Sequence, residues 1–150
     1  MDEHIYKSHN KTLLLYHFVF PSKYRRKVFD DRVDGKLREV CIEISERYEI
    51  NFVEIGNDKD HIHMLIQSVP IITVSRLVTI IKSITAKEIF KEFPKLKKEM
   101  WGSSLWTSGY YANTVGMYAG KDAIINYIKN QGKNEKEYKK IHQGQLKFDL

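Results

Sequence analysis

The sequence is poor in the features that would take it out of the ordinary globular class. Cys41 is the only cysteine in 150 residues, which excludes an intrachain disulfide and a thiolate-based zinc cluster and fits a reducing compartment. Three prolines and eight glycines are too few for a low-complexity linker, so the length suits one compact domain over residues 1–150 rather than several. No apolar run approaches the roughly 20 residues of a membrane-spanning helix. The opening MDEHIYKSHN is polar, without the basic head and apolar stretch of a secretory signal. A soluble, cytoplasmic protein with no membrane partner is expected. No Gly-x-x-x-x-Gly-Lys loop is present, so no nucleotide cofactor is expected. What is there in excess is positive charge: a formal +6 and an isoelectric point near 9.3 favour an anionic partner.

The pattern of apolar residues predicts the order strand, helix, strand, strand, helix, strand. Thr12 to Phe20 (TLLLYHFVF) is aromatic and aliphatic without helical spacing and is stopped by Pro21, as in a central strand covered on both faces. Val33, Leu37, Val40, Cys41, Ile44 and Tyr48 recur at three- and four-residue intervals over Arg32 to Tyr48, an amphipathic helix. Asn51 to Ile55 and the stretch from His61 flank a turn, Gly56 to Asp60, as a hairpin. A helix capped by Thr73 or Ser75 reaches about Phe93, where Pro94 ends it. Lys95 to Gly109 reads as a loop, with Trp101 and Trp106 as packed core anchors or, as the alternative, faces on which unpaired bases stack. Tyr111 to Val115 is a fourth strand, and a short helix follows from about Asp122 to Gln131. The fold class is α+β: a ferredoxin-like (RRM-like) antiparallel sheet with two helices on one face, plus a C-terminal tyrosine-bearing helix.

Two pairs of residues carry chemistry. His61 and His63 flank Ile62, so on a strand both imidazoles project from one face; if Ile62 faces the helices, they lie on an open side suited to holding a metal. The same spacing fits two solvated strand histidines. Tyr127 and Gln131 are four apart on the last helix and share a face. Gln131 suits a third metal ligand and Tyr127 a nucleophile, while packing is the ordinary role of a helical tyrosine. Lys23, Tyr24, Arg25, Arg26 and Lys27, with Lys82 and Lys87 on the second helix, are candidates for holding the phosphates and bases of a nucleic acid; a solvated charged face is the plain alternative.

YHFVFPSKYRRKVF at Tyr16 to Phe29, DHIHMLI at Asp60 to Ile66 and YIKNQ at Tyr127 to Gln131 together resemble the single-tyrosine HUH transposases of bacterial insertion sequences, the transposase A family, where HUH denotes His, hydrophobic, His. The resemblance covers nearly the whole chain. It implies strand cleavage and rejoining of single-stranded DNA at hairpin-bearing element ends through a 5′-phosphotyrosine, with Mg or Mn as the divalent metal. It also implies a homodimer whose active sites are shared between subunits. Two rivals are a non-catalytic nucleic-acid-binding module of RNA-recognition type and a domesticated relative that binds palindromes without mobilising its own gene.

Overall fold

A computed structural model describes residues 3–102, 104–116 and 121–129. The central strand β3 (Leu14–Pro21) alternates two apolar sets. Phe18 and Phe20 point into the main core, whereas Leu15 joins a second cluster on the opposite face. Both faces are therefore covered, as the unbroken apolar run predicts. Ahead of it a small hairpin, β1 (Ile5–Tyr6) with β2 (Lys11–Thr12), is an element the sequence reading did not anticipate. It takes up Thr12, so the central strand begins two residues later than expected. Gln67 Nε2 donates to the Glu3 carbonyl at 2.7 Å, and Lys7 pairs with Glu49.

Helix α1 (Asp31–Arg47) opens on Asp30, whose carboxylate accepts from the Val33 amide at 3.0 Å. This satisfies one of the free donors of the first turn. Val33, Leu37, Val40, Cys41 and Ile44 form its buried stripe, and burial pushes the Cys41 thiol up to about 12, against the opposing pull of Arg38. Helix α2 (Val74–Glu92) is capped by the Thr73 hydroxyl, which accepts from Arg76 N at 3.1 Å. Pro94 does end this helix, but it also opens another, α3 (Pro94–Glu99). The expected loop is thus partly helical, because proline lacks only an amide hydrogen that the first helical turn does not use.

Four strands form one antiparallel sheet in the order β4 (Asn51–Asn57), β5 (His61–Ser68), β3, β6 (Tyr111–Thr114). This is the ferredoxin-like order, with the first and third strands of the motif at the centre. Ile62, Met64 and Ile66 of β5 pack with Leu37 and Ile44 of α1 and Leu77 and Ile81 of α2. A further helix, α4 (Lys121–Lys129), lies against β4 and β5 on the other face. There Ile128 is buried with Leu15, Leu65 and Val115, and Ile125 packs beside them. No helix among the described residues is long and apolar enough to cross a membrane.

Candidate active site

Strand alternation on β5 sends Ile62 and Met64 to the helices and His61 and His63 to the opposite face. The register pairs His61 with Pro21 and His63 with Val19 and Gly56, so the histidines sit in mid-sheet. Their rings stand 4.9 Å apart, edge to face. The face is not open, which corrects the sequence expectation: His63 is 1% exposed and the His61 side chain 15%. Apolar residues elsewhere on this face, Leu15, Leu65 and Val115, need cover and receive it from α4.

Each imidazole is held through its Nδ1. The Nδ1 of His61 lies 2.6 Å from Asp60 Oδ1, a distance that requires a proton between them, so this nitrogen is the donor. Arg25 Nη2, 3.5 Å from the same nitrogen, is then left to pair with Asp60 Oδ2 at 3.3 Å. Burial raises the Asp60 carboxyl, but the His61 hydrogen bond and the Arg25 charge outweigh it and the net shift is downward. The Nδ1 of His63 lies 3.1 Å from Nε2 of His17 on β3, and the two rings stack at 5.4 Å. His17 is fully buried and escaped the sequence reading. The signal was available: in Leu15, His17, Val19 it is the one polar residue on the face opposite Phe18 and Phe20, the face the histidines share.

This donor set fits a divalent cation. Burial, reinforced by His17 and His61, pushes the His63 pKa down to about 2. The imidazole is therefore neutral near pH 7, which is the form that ligates a metal. The Nε2 of His61 faces Asp58 Oδ2 at 3.3 Å, a pairing that is favourable with a proton or a cation near both atoms. Asp58, Asp60 and His61 offer ligand atoms within 4.8 Å of one another, a mixed oxygen and nitrogen set compatible with Mg or Mn. Asp58 was not singled out in the sequence because it belongs to a turn whose polar residues have an ordinary role.

Tyr127 belongs to α4, the helix lying on the histidine face; its side chain and the whole of Gln131 fall outside the described residues. The basic candidates divide. Lys23, Tyr24 and Arg25 form a short 3-10 turn after β3, and Arg25 reaches the site through Asp60. Tyr24, Arg25 and Trp101 have left-handed backbone, φ 60, 53 and 55, each costing about 1 to 2 kcal/mol. Trp101 is 72% exposed, contrary to the expected core role, whereas Trp106 is buried and donates to Thr85 Oγ1 at 3.0 Å. Lys82 donates to the carbonyls of Thr107 and Gly109 at 2.8 and 2.9 Å, and burial pushes its pKa down. Its ammonium thus secures a loop. Lys87 is exposed and five positions along α2, on another side of the helix. Lys27 is exposed and Arg26 half-buried.

Comparison with known proteins agrees with this architecture. The family described as "Transposase IS200 like" matches residues 10–131. The transposase for insertion sequence element IS200 of Salmonella typhimurium is 30% identical over 129 residues, covering 86% of this chain and 84% of its own. The ISDra2 transposase TnpA of Deinococcus radiodurans is 28% identical over 122 residues, 81% of this chain and 86% of its own. A crystal structure of a candidate transposase from Deinococcus radiodurans superposes with a TM-score of 0.70 at 28% identity, covering 85% of this chain and 97% of that one. The REP-associated tyrosine transposase bound to a REP hairpin shares the fold, with a TM-score of 0.54 at 15% identity over 85% of this chain and 70% of its own. With the family match spanning most of its length and the histidine pair on a ferredoxin-like sheet, the chain belongs to the IS200-like transposases.

Proposed function

We infer that this transposase cuts and rejoins single-stranded DNA at insertion-sequence ends, with Tyr127 as nucleophile and His61, His63 and Gln131 as metal ligands. The observation that carries this reading is the pair of imidazoles on one face of β5, each held through Nδ1, with the helix containing Tyr127 packed on that same face. A free tyrosine is protonated near neutral pH, so its attack requires loss of the phenolic proton. The phenolate oxygen bonds to the scissile phosphorus as the bond to the 3′ oxygen breaks. That oxygen leaves as a 3′-OH after taking a proton, and the 5′ phosphate stays on the tyrosine. Attack by another 3′-OH runs the exchange in reverse and restores a phosphodiester without ATP. Mg or Mn, when bound, would polarise the phosphate and stabilise charge on the departing oxygen.

The chain's own groups prepare this step. Asp60 would hold the His61 ring and His17 that of His63, orienting both imidazoles for ligation. Lys23, Tyr24, Arg25, Arg26, Lys27 and Lys87 would contact the DNA, and Lys82 would act through the loop it anchors. A hairpin substrate is supported by the likeness to the REP hairpin complex. The homodimer with shared active sites, in the cytoplasm, is part of the same proposal; within the single chain, α4 rests on its own sheet.

The test uses single-stranded DNA carrying hairpins from the gene's flanks, labelled on the 3′ side of the cut and incubated with Mn or Mg. A labelled, protein-sized band on a denaturing gel, lost in Tyr127→Phe and in His61→Ala, is expected. Hairpin binding without a covalent band under either metal would instead mean a palindrome-binding module.

A further inference from the structure

Tyr24 and Trp101 are large aromatic side chains held on the outside, 60% and 72% exposed. They come from distant segments, the 3-10 turn after β3 and the second residue beyond α3, yet their rings meet at 5.4 Å. The Arg26 guanidinium sits 4.9 Å from the indole centroid and the Lys23 ammonium 5.5 Å from the phenol centroid. Four non-glycine residues among those described have left-handed backbone: Tyr24, Arg25, Trp101 and Lys59. Three belong to this patch and the fourth to the turn leading into His61. Such conformations persist where the surrounding structure imposes them, and they concentrate at functional sites. Arg25 joins the patch to the site, since its partner Asp60 holds His61 through the other carboxylate oxygen.

Leaving two aromatic rings in water forgoes the stabilisation that burial would bring, and the left-handed backbone adds to that cost. The arrangement is understandable if a flat apolar ligand with an anionic tether completes it. We propose that Tyr24 and Trp101 form a stacking platform for an unpaired nucleotide base beside the scissile phosphate, with Lys23, Arg25 and Arg26 holding the adjoining phosphates. This rests on the reading of the chain as an enzyme of single-stranded DNA. Every base has a π face, so the platform grips without reading sequence, and duplex pairing hides those faces, so it selects single strands. An apolar protein partner fits less well, because the Arg26 and Lys23 cations sit over the rings.

The chain has only two tryptophans and Trp106 is buried, so quenching of exposed tryptophan emission reports Trp101. The probe is an oligothymidylate of about ten nucleotides, single-stranded or annealed to its complement, with affinity read from anisotropy of a labelled copy. The single strand should quench and the duplex should not. Trp101→Ala should weaken single-strand binding roughly ten-fold or more, Trp101→Phe should recover most of it, and the unfolding midpoint should stay unchanged in both. No binding by the wild-type protein, equal quenching by duplex, or unchanged affinity in Trp101→Ala each overturns the platform. The covalent-band assay separates the two readings. A wild-type band whose half-saturating DNA concentration is unmoved by Trp101→Ala refutes the platform and leaves the transposase chemistry standing. Absence of the band in the wild-type protein refutes that chemistry and, with it, a platform beside a scissile bond.

Discussion

Replacing His17 by leucine removes a side chain that holds Nδ1 of His63, while keeping the site filled and apolar. The lost contact is a 3.1 Å bond between buried rings. Withdrawing one partner of such a bond costs about 1 to 3 kcal/mol, and relief from burying the His17 ring offsets part of this. A net loss of about 1 to 2 kcal/mol corresponds, at this chain length, to a fall in Tm of roughly 2 to 8 °C. The larger effect is expected in the metal. With its tautomer and orientation no longer fixed, His63 should ligate less well, and loss of such an outer partner typically lowers affinity 10- to 100-fold. Calorimetric titration of Mn into the wild-type protein, His17→Leu and His17→Gln tests this, alongside thermal unfolding in chelator. Glutamine keeps an acceptor and should retain most of the affinity. The reasoning is refuted if His17→Leu binds Mn within roughly three-fold of wild type, far short of the outer-partner range, while losing the predicted stability; His17 would then only pack.

The metal-free protein should weaken in acid. Because the folded pKa of His63 is pushed down to about 2 from 6.5, the unfolded chain binds a proton between those values that the folded chain does not. Stability therefore falls as pH drops below about 6.5, by up to roughly 1.4 kcal/mol per pH unit. Urea midpoints at pH 7 and 5.5 should show the slope, and His63→Gln should flatten it; an equal slope in the variant would sink the assignment. Lys82→Met should cost stability of about 1 to 3 kcal/mol through the loop carbonyls it abandons, yet leave the salt dependence of DNA binding unchanged. Lys87→Met should lower that salt slope by about one. A reduced slope in Lys82→Met would show that its ammonium does meet phosphate.

The sheet and its two core helices were legible because their signals are local. Phe18 and Phe20, the α1 stripe from Val33 to Ile44, and the capping residues Asp30 and Thr73 each follow from spacing within a few positions. The histidine pair was legible for the same reason. His17 was not, because its role depends on the register between β3 and β5, which brings it to His63 from 46 positions away. The closed state of the histidine face was missed because the cover, α4, comes from the far end of the chain. Trp101 and Trp106 show the limit of composition alone. They are five residues apart in one loop, and only the tertiary path puts one outside and the other against Phe29. Gln131 and the Tyr127 side chain lie outside the described residues, so their expected roles stand as proposals.

Strand β5 ties two properties that most proteins can vary separately. Ile62, Met64 and Ile66 complete the core on one side, while His61 and His63 serve the site on the other. Because alternation has a period of two, a one-residue slip of β5 against its neighbours would exchange the two sets, placing imidazoles among the phenylalanines and isoleucines and turning Ile62 to the histidine face. The change would not yield a folded but inactive protein; it would remove core and site together. Insertions should thus be accepted in the β1–β2 hairpin or near Gly109, and rejected inside β5 between His61 and Ile66, where one added residue would turn core and site side chains to the wrong faces together.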